Sequence, residues 1–182
     1  MKNLTRVLLL VMITASLSSC ESIKGIFDVE VDTTIEGEMD ILTDGTALKS
    51  TNDYGFNESI TVAVLNDDLY EYEDKIQGFK TSDVTIEVLS VDSVDVVFLP
   101  GTIFTISNGV NPSVSWEILT EWPVAQGSML DLLDSGLYAG IETILDERVD
   151  ITISAVGSAN KGNVHATIRV GIEVTVVANP LD

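Results

Sequence analysis

Twenty-nine aspartates and glutamates among 182 residues are the side chains best supplied here to do chemistry. They gather first in FDVEVDTTIEGEMDI, Phe27 to Ile41, where every second residue is a candidate core residue (Val29, Val31, Thr33, Ile35, Gly37, Met39, Ile41). Six of the seven between them are acids: Asp28, Glu30, Asp32, Glu36, Glu38 and Asp40. Acids two apart on a strand sit about 6.5–7 Å from each other. In water such a pair repels by roughly 0.6 kcal/mol, and physiological salt more than halves that. Burying unpaired carboxylates would cost several kcal/mol each. The acid row is therefore expected to be wet. On an edge strand it would discourage pairing with another chain. Two further uses are open to it: binding a divalent cation such as Ca²⁺, which takes clustered oxygens, and meeting a basic protein partner.

A second acidic stretch, NDDLYEYEDK, runs from Asn66 to Lys75. Asp67, Asp68, Glu71, Glu73 and Asp74 are candidate metal ligands, with Tyr70 and Tyr72 interleaved, for a calcium loop or a sugar-facing patch. The stretch lacks the glycine and the spacing of an EF-hand loop. Its plainer reading is a solvated loop with one or two helical turns over Asp67–Ile76. His165 is the only histidine, with Arg169 four residues on. One histidine cannot build a His-rich metal site, and no nucleophile and acid are placed beside it by sequence. Two carboxylates can run glycoside hydrolysis, but with 29 acids a suitable pair is given by number alone and carries no weight. There is no G-x-S-x-G, no H-E-x-x-H and no phosphate-cradling glycine loop. The expectation is a protein without catalysis and without a cofactor, Ca²⁺ being the one ion with a case. Trp116 reads as core. Trp122, before Pro123 in a connection, is the candidate exposed aromatic of an interaction face that includes Asp28–Asp40.

Alternation with a period of two dominates from Asp28 onward, which argues half-buried strands. Val164, Ala166, Ile168, Val170, Ile172, Val174 and Val176 share one face, and Val149–Ala155 alternates likewise. The turn formers of Gly157–Asn163 lie between them. The pattern predicts a long C-terminal hairpin. Shorter strands are expected over Ser59–Leu65, Val84–Val91, Val94–Leu99, Thr102–Ser107 and Val114–Leu119. Pro100-Gly101 marks a turn, and Asn108-Gly109 suits a tight primed turn. Met129, Leu130, Leu133, Leu137, Ile141, Ile144 and Leu145 form a helical stripe over Ser128–Asp146, with Ser128 and Asp131 as a capping-box-like start. Gly136 and Gly140 would let that helix lie close on a sheet, or would split it. The fold class expected is mainly β: an antiparallel β-sandwich, Ig-like or related, with one packed helix near 128–146. A barrel is the alternative.

The first twenty residues, MKNLTRVLLLVMITASLSSC, have another grammar. Lys2 and Arg6 form a positive n-region, Val7 to Ala15 is too short to span a bilayer, and small residues end the run. The ending Leu17-Ser18-Ser19-Cys20 resembles the lipobox of bacterial lipoproteins. The resemblance implies a signal peptide over 1–19, cleavage before Cys20, and acylation of that cysteine on sulfur and on its new amino group, palmitate among the acyl chains. Residues 20–27 would form a lipidated tether, followed by a single domain over 28–182. Two or more acyl chains anchor stably where one does not. Cys20 is the only cysteine, so its lipidation leaves no thiol for a disulfide or a metal. Glu21 is not the aspartate that holds such proteins in the inner membrane. The resemblance therefore implies the outer membrane of a Gram-negative envelope, on either face.

With Lys2 and Arg6 removed, seven bases face 29 acids, a net charge of −22. Such a field repels phosphate backbones, so no nucleic-acid partner is expected. The expected function is that of a lipid-anchored envelope protein with a non-catalytic structural or interaction domain and a protein partner there. A calcium-dependent adhesin or carbohydrate-binding module, and a carrier of lipid or another small hydrophobe, are the alternatives.

Overall fold

The computed structural model describes residues 28–48, 53–132 and 135–179. Residues 1–27, on which the expected signal peptide, Cys20 and the expected tether fall, lie outside them, as do Leu133 and Asp134. Among the described residues ten strands form: β1 Val29–Leu42, β2 Tyr54–Val62, β3 Ile76–Val91, β4 Val96–Phe98, β5 Ile103–Ser107, β6 Val114–Glu117, β7 Trp122–Val124, β8 Met129–Asp131, β9 Ile151–Ala159 and β10 His165–Ala178. Among the described residues a 3-10 turn, Tyr70–Lys75, precedes β3, and an α-helix, α1 Ser135–Leu145, precedes β9. The protein is mainly β and folds as an antiparallel sandwich of two sheets.

One sheet has four strands in the order β1-β10-β3-β8. The other has six. In it β2 runs the whole length of β9 on one side, so β5 and β4 share the other side of β9 and carry β6 and β7 beyond them. The alternation seen in the sequence is what this arrangement needs. Ile35, Met39 and Ile41 of β1, Val84, Ile86 and Val88 of β3, and Ile168 to Val176 of β10 point into one apolar layer. Phe56, Phe98, Phe104, Ile106, Trp116, Ile151 and Ile153 meet them from the other sheet. Each such side chain contributes about 1.5–3 kcal/mol by leaving water, which holds the fold without a disulfide.

The two sheets close against each other beside β1 and β2. A Cβ at Gly37 would lie 2.5 Å from both Ile60 Cδ1 and Val62 Cγ2, so only glycine lets β2 come this near. On the opposite side, α1 fills part of the opening. Ile141, Ile144 and Leu145 are buried, and a Cβ at Gly140 would lie 2.7 Å from Val114 Cγ2. Gly140 thus gives the close approach its spacing suggested.

Three expectations need correction. The C-terminal hairpin does not form: β9 pairs with β2, β5 and β4, and β10 pairs with β1 and β3, in the other sheet. The link between them crosses the core edge as an arch. The same alternation serves both shapes, but β10 gains two long neighbours by crossing over. The helix does not begin at Ser128 either. The Ser128 carbonyl accepts from Val88 N–H at 2.9 Å, and Met129–Asp131 adds to β3 as β8. Finally, Asn108-Gly109 is no two-residue primed turn. Gly109 has φ +72°, while the Asn108 side chain accepts from Val110 and Asn111 N–H at 3.0 and 2.9 Å, shaping a wider loop. Pro100-Gly101 does turn the chain, with Gly101 at φ +90° and Thr102 N–H on the Leu99 carbonyl at 3.2 Å.

Candidate functional site

The acid row lies on an edge strand and faces water, as expected. Glu30, Asp32, Glu36, Glu38 and Asp40 alternate outward along β1 while Ile35, Met39 and Ile41 turn inward. Asp28, just ahead of the strand, is also exposed. Sequence reasoning missed that the row is stitched to its neighbours. Thr175 and Thr167 on β10 donate to Asp32 Oδ1 at 2.7 Å and Asp40 Oδ1 at 2.8 Å. Lys80 of β3 reaches across β10 to Glu30 at 3.2 Å. His165 Nε2 lies 3.2 Å from Asp40 Oδ1.

Arg169 is the hub of this face. Its Nη2 donates to Glu38 Oε1 at 2.9 Å, with Glu36 Oε2 and Glu87 Oε2 each 3.8 Å away. Glu38, and then its neighbours, hold the guanidinium more firmly charged than usual. The Thr167 hydroxyl holds the Asp40 carboxyl below the usual carboxylate range, with His165 adding to the effect. Asp83, Glu87 and Glu173 extend the acid surface over β3 and β10. The result is a flat array of carboxylates held in place by three basic side chains.

The outer face of the six-stranded sheet has another character. Register places Ser59, Ser154, Thr105 and Ser115 in one row across four strands, and Thr61, Thr152 and Ser107 in the next. Asn57, Val156, Ile103 and Glu117 make a third row. Across these three rows Glu117 is the sole charged residue.

The second acidic stretch behaves as a solvated turn. Asp67, Asp68, Glu71, Glu73 and Asp74 are all exposed around the anchor Leu69, which is buried. Asp68 Oδ2 accepts from the Thr33 hydroxyl at 3.3 Å. Among the described residues no three His, Cys, Asp or Glu side chains gather in a way that could hold a metal ion. The alternation of the chain spreads its acids along strands and turns instead of converging them.

Trp122 is not an exposed aromatic. It is 7% exposed, pairs with Phe98 through β7 and β4, and packs on the Phe98 ring with centroids 5.7 Å apart. Pro123 made the segment look like a connection. On an edge strand, however, a proline costs no ladder bond when its nitrogen faces outward. Trp116 is core, as expected.

The chain matches no known protein-family model, and no curated protein is significantly similar to it.

One feature had no single sequence signal. Between β6, β8 and α1 an open cleft of about 470 Å³ remains where the helix does not reach. Trp116, Ile118, Leu119, Leu130, Leu132 and Leu137 line it. The Trp116 indole Nε1 is buried beneath the surface without a hydrogen-bond partner among the described residues, which costs about 1–3 kcal/mol. Leu119 is 77% exposed. Its faint trace in the sequence is that Leu119 falls out of phase with the alternation Val114, Trp116, Ile118.

Proposed function

We propose that the protein is a lipid-anchored envelope protein whose β-domain is a non-catalytic interaction module, tethered through acylated Cys20 at the outer membrane. The observation that carries this reading is the sorting of charge between the two outer faces. One presents an ordered array of carboxylates around Arg169, and the other presents rows of serine and threonine. Solubility alone is served by charge spread over the surface. Segregated charge suits a domain that meets a partner on one side.

The test has two arms. An alkyne fatty acid fed to cells labels the protein and the label is lost in Cys20→Ser; a protein that takes up no label, or a Cys20→Ser chain that keeps it, sinks the anchor reading. Photo-crosslinking in native membranes from position Thr34 captures a discrete partner, and Glu36→Gln with Glu38→Gln reduces the yield. An unchanged yield removes the acidic face from the reading.

A carrier of a small hydrophobe is the second reading, and the cleft beside Trp116 favours it. Its volume lies above the roughly 300 Å³ at the low end for ligand sites. Co-purification of an extractable apolar molecule, lost in Leu119→Asp, supports that reading.

A further inference from the structure

We propose that the cleft between β6 and β8 receives an extended polypeptide segment of a partner protein, apolar at alternate positions and flanked by basic residues, which adds to β6 as a further strand. The inference deepens the interaction-module reading but stands on a different surface from the acid array.

The lips of the cleft are sheet edges. Ile118 N–H donates to the Thr102 carbonyl at 2.7 Å, and Gly101 N–H donates to the Ile118 carbonyl at 2.8 Å. Bonded positions alternate along an antiparallel pair. Trp116 and Val114 therefore bond to β5, while Ser115 and Glu117 turn their N–H and C=O groups away from it. Among the described residues β6 has no neighbour on that side. Exposed edges recruit strands unless they are blunted. Here β1 carries its acid row, β7 carries Pro123, and β8 is three residues long. β6 is itself short, four residues, but it carries no proline and one charge, Glu117, and among the described residues no strand covers its outer side.

The lining fits the inner side chains of such a strand. Apolar residues of the guest would rest on Trp116, Ile118 and Leu119 from one lip and on Leu130, Leu132 and Leu137 from the other. Glu117 and Asp131 are exposed beside the lining, in a chain of net charge −20. They favour lysine or arginine flanks and disfavour a fatty carboxylate. They also set a second copy of this chain, with the same acids, at a disadvantage. A neutral small hydrophobe would fill the cleft but leave the β6 edge unpaired.

The probes are nine-residue peptides that alternate leucine, valine or phenylalanine with threonine and carry a lysine at each end. They are titrated by calorimetry into the full chain bearing Cys20→Ser, which removes acylation. Binding is expected, and Ser115→Pro is expected to weaken it by about tenfold or more, because proline removes the outward N–H and leaves the β5 ladder intact. Leu119→Asp, at an exposed position that the core does not use, is expected to weaken binding similarly and serves if the proline variant does not fold. Absence of binding to the unsubstituted chain overturns the proposal. So does equal affinity in both variants, or binding of a neutral fluorescent fatty amide that survives Ser115→Pro while the peptides do not bind. Self-association that the peptides fail to compete also overturns it. Acyl labelling at Cys20 is read separately, so failure of the anchor and failure of the cleft are distinguishable.

Discussion

Thr43 and Val164 clasp each other where two of the sheet-crossing links pass. Thr43 N–H donates to the Val164 carbonyl at 3.0 Å, and Val164 N–H donates to Thr43 Oγ1 at 2.9 Å. The same hydroxyl donates to the Lys161 carbonyl at 3.0 Å. Thr43 follows β1 and Val164 precedes β10, so this buried side chain ties the crossing from β1 to β2 to the crossing from β9 to β10. Replacing it with the isosteric Thr43→Val orphans the Val164 N–H. Urea unfolding should show a loss of about 1–3 kcal/mol with the slope unchanged.

Trp122→Ala is expected to cost about 3–5 kcal/mol, the range for a large aromatic removed from a core. The indole lies edge-on to Phe98, which in turn packs on Phe56 with centroids 4.8 Å apart. A thermal melt checks it. A loss below about 0.5 kcal/mol, ordinary for an exposed position, would return Trp122 to the surface.

Gly140→Ala sets two effects against each other. Alanine favours the helix by about 1 kcal/mol over glycine. Its methyl, however, would meet Val114 Cγ2 at 2.7 Å, on a β-branched side chain that turns poorly. The clash is expected to win, with a lower melting temperature. Gly140→Ala combined with Val114→Ala should recover part of the loss beyond what the two single changes predict.

Acidification should destabilise the domain in a way that Asp40 shares. Its folded pKa is lowered, chiefly by the Thr167 hydroxyl. The stability it contributes is therefore present above the unfolded carboxylate pKa and is lost as pH falls through the folded value. Asp40→Asn should lie below the parent in melting temperature near neutral pH and converge with it as pH falls through the lowered folded value of Asp40. Thr167→Val should reproduce much of that difference. Curves that stay parallel across the range would contradict the pairing.

Calcium is expected to leave the melting temperature unchanged, with EDTA or with millimolar calcium added. Asp67, Asp68, Glu71, Glu73 and Asp74 are exposed around a 3-10 turn without converging. A rise with calcium would show that they can gather, because binding to the folded state alone stabilises it.

Much of the strand content was readable because exposure alternates with the same period as the side chains. Ile35, Met39 and Ile41 inward with Glu36, Glu38 and Asp40 outward is one case, and Ile151 and Ile153 with Thr152 and Ser154 is another. Short strands escaped notice. Trp122–Val124 and Met129–Asp131 have three residues each, too few to show a period, and β8 lies within the helical stripe. The acid row was legible as a wet edge. Its fastening by Arg169, Lys80 and the two threonines was not, because those side chains come from β3 and β10, separated from β1 in sequence.

By itself the sequence determined which way the residues of the long strands face. Alternation decides which side chains leave water, and that fixed the β class, the outward carboxylates and the apolar layer. The tertiary structure alone decided which strand lies beside which. An alternating segment buries the same face whether it turns back on its predecessor or crosses to the other sheet, so β9 and β10 read as a hairpin and fold as an arch. The cleft follows from the same cause: it exists where β6 and β8, distant in order, end two different sheets and one short helix fills only part of the opening.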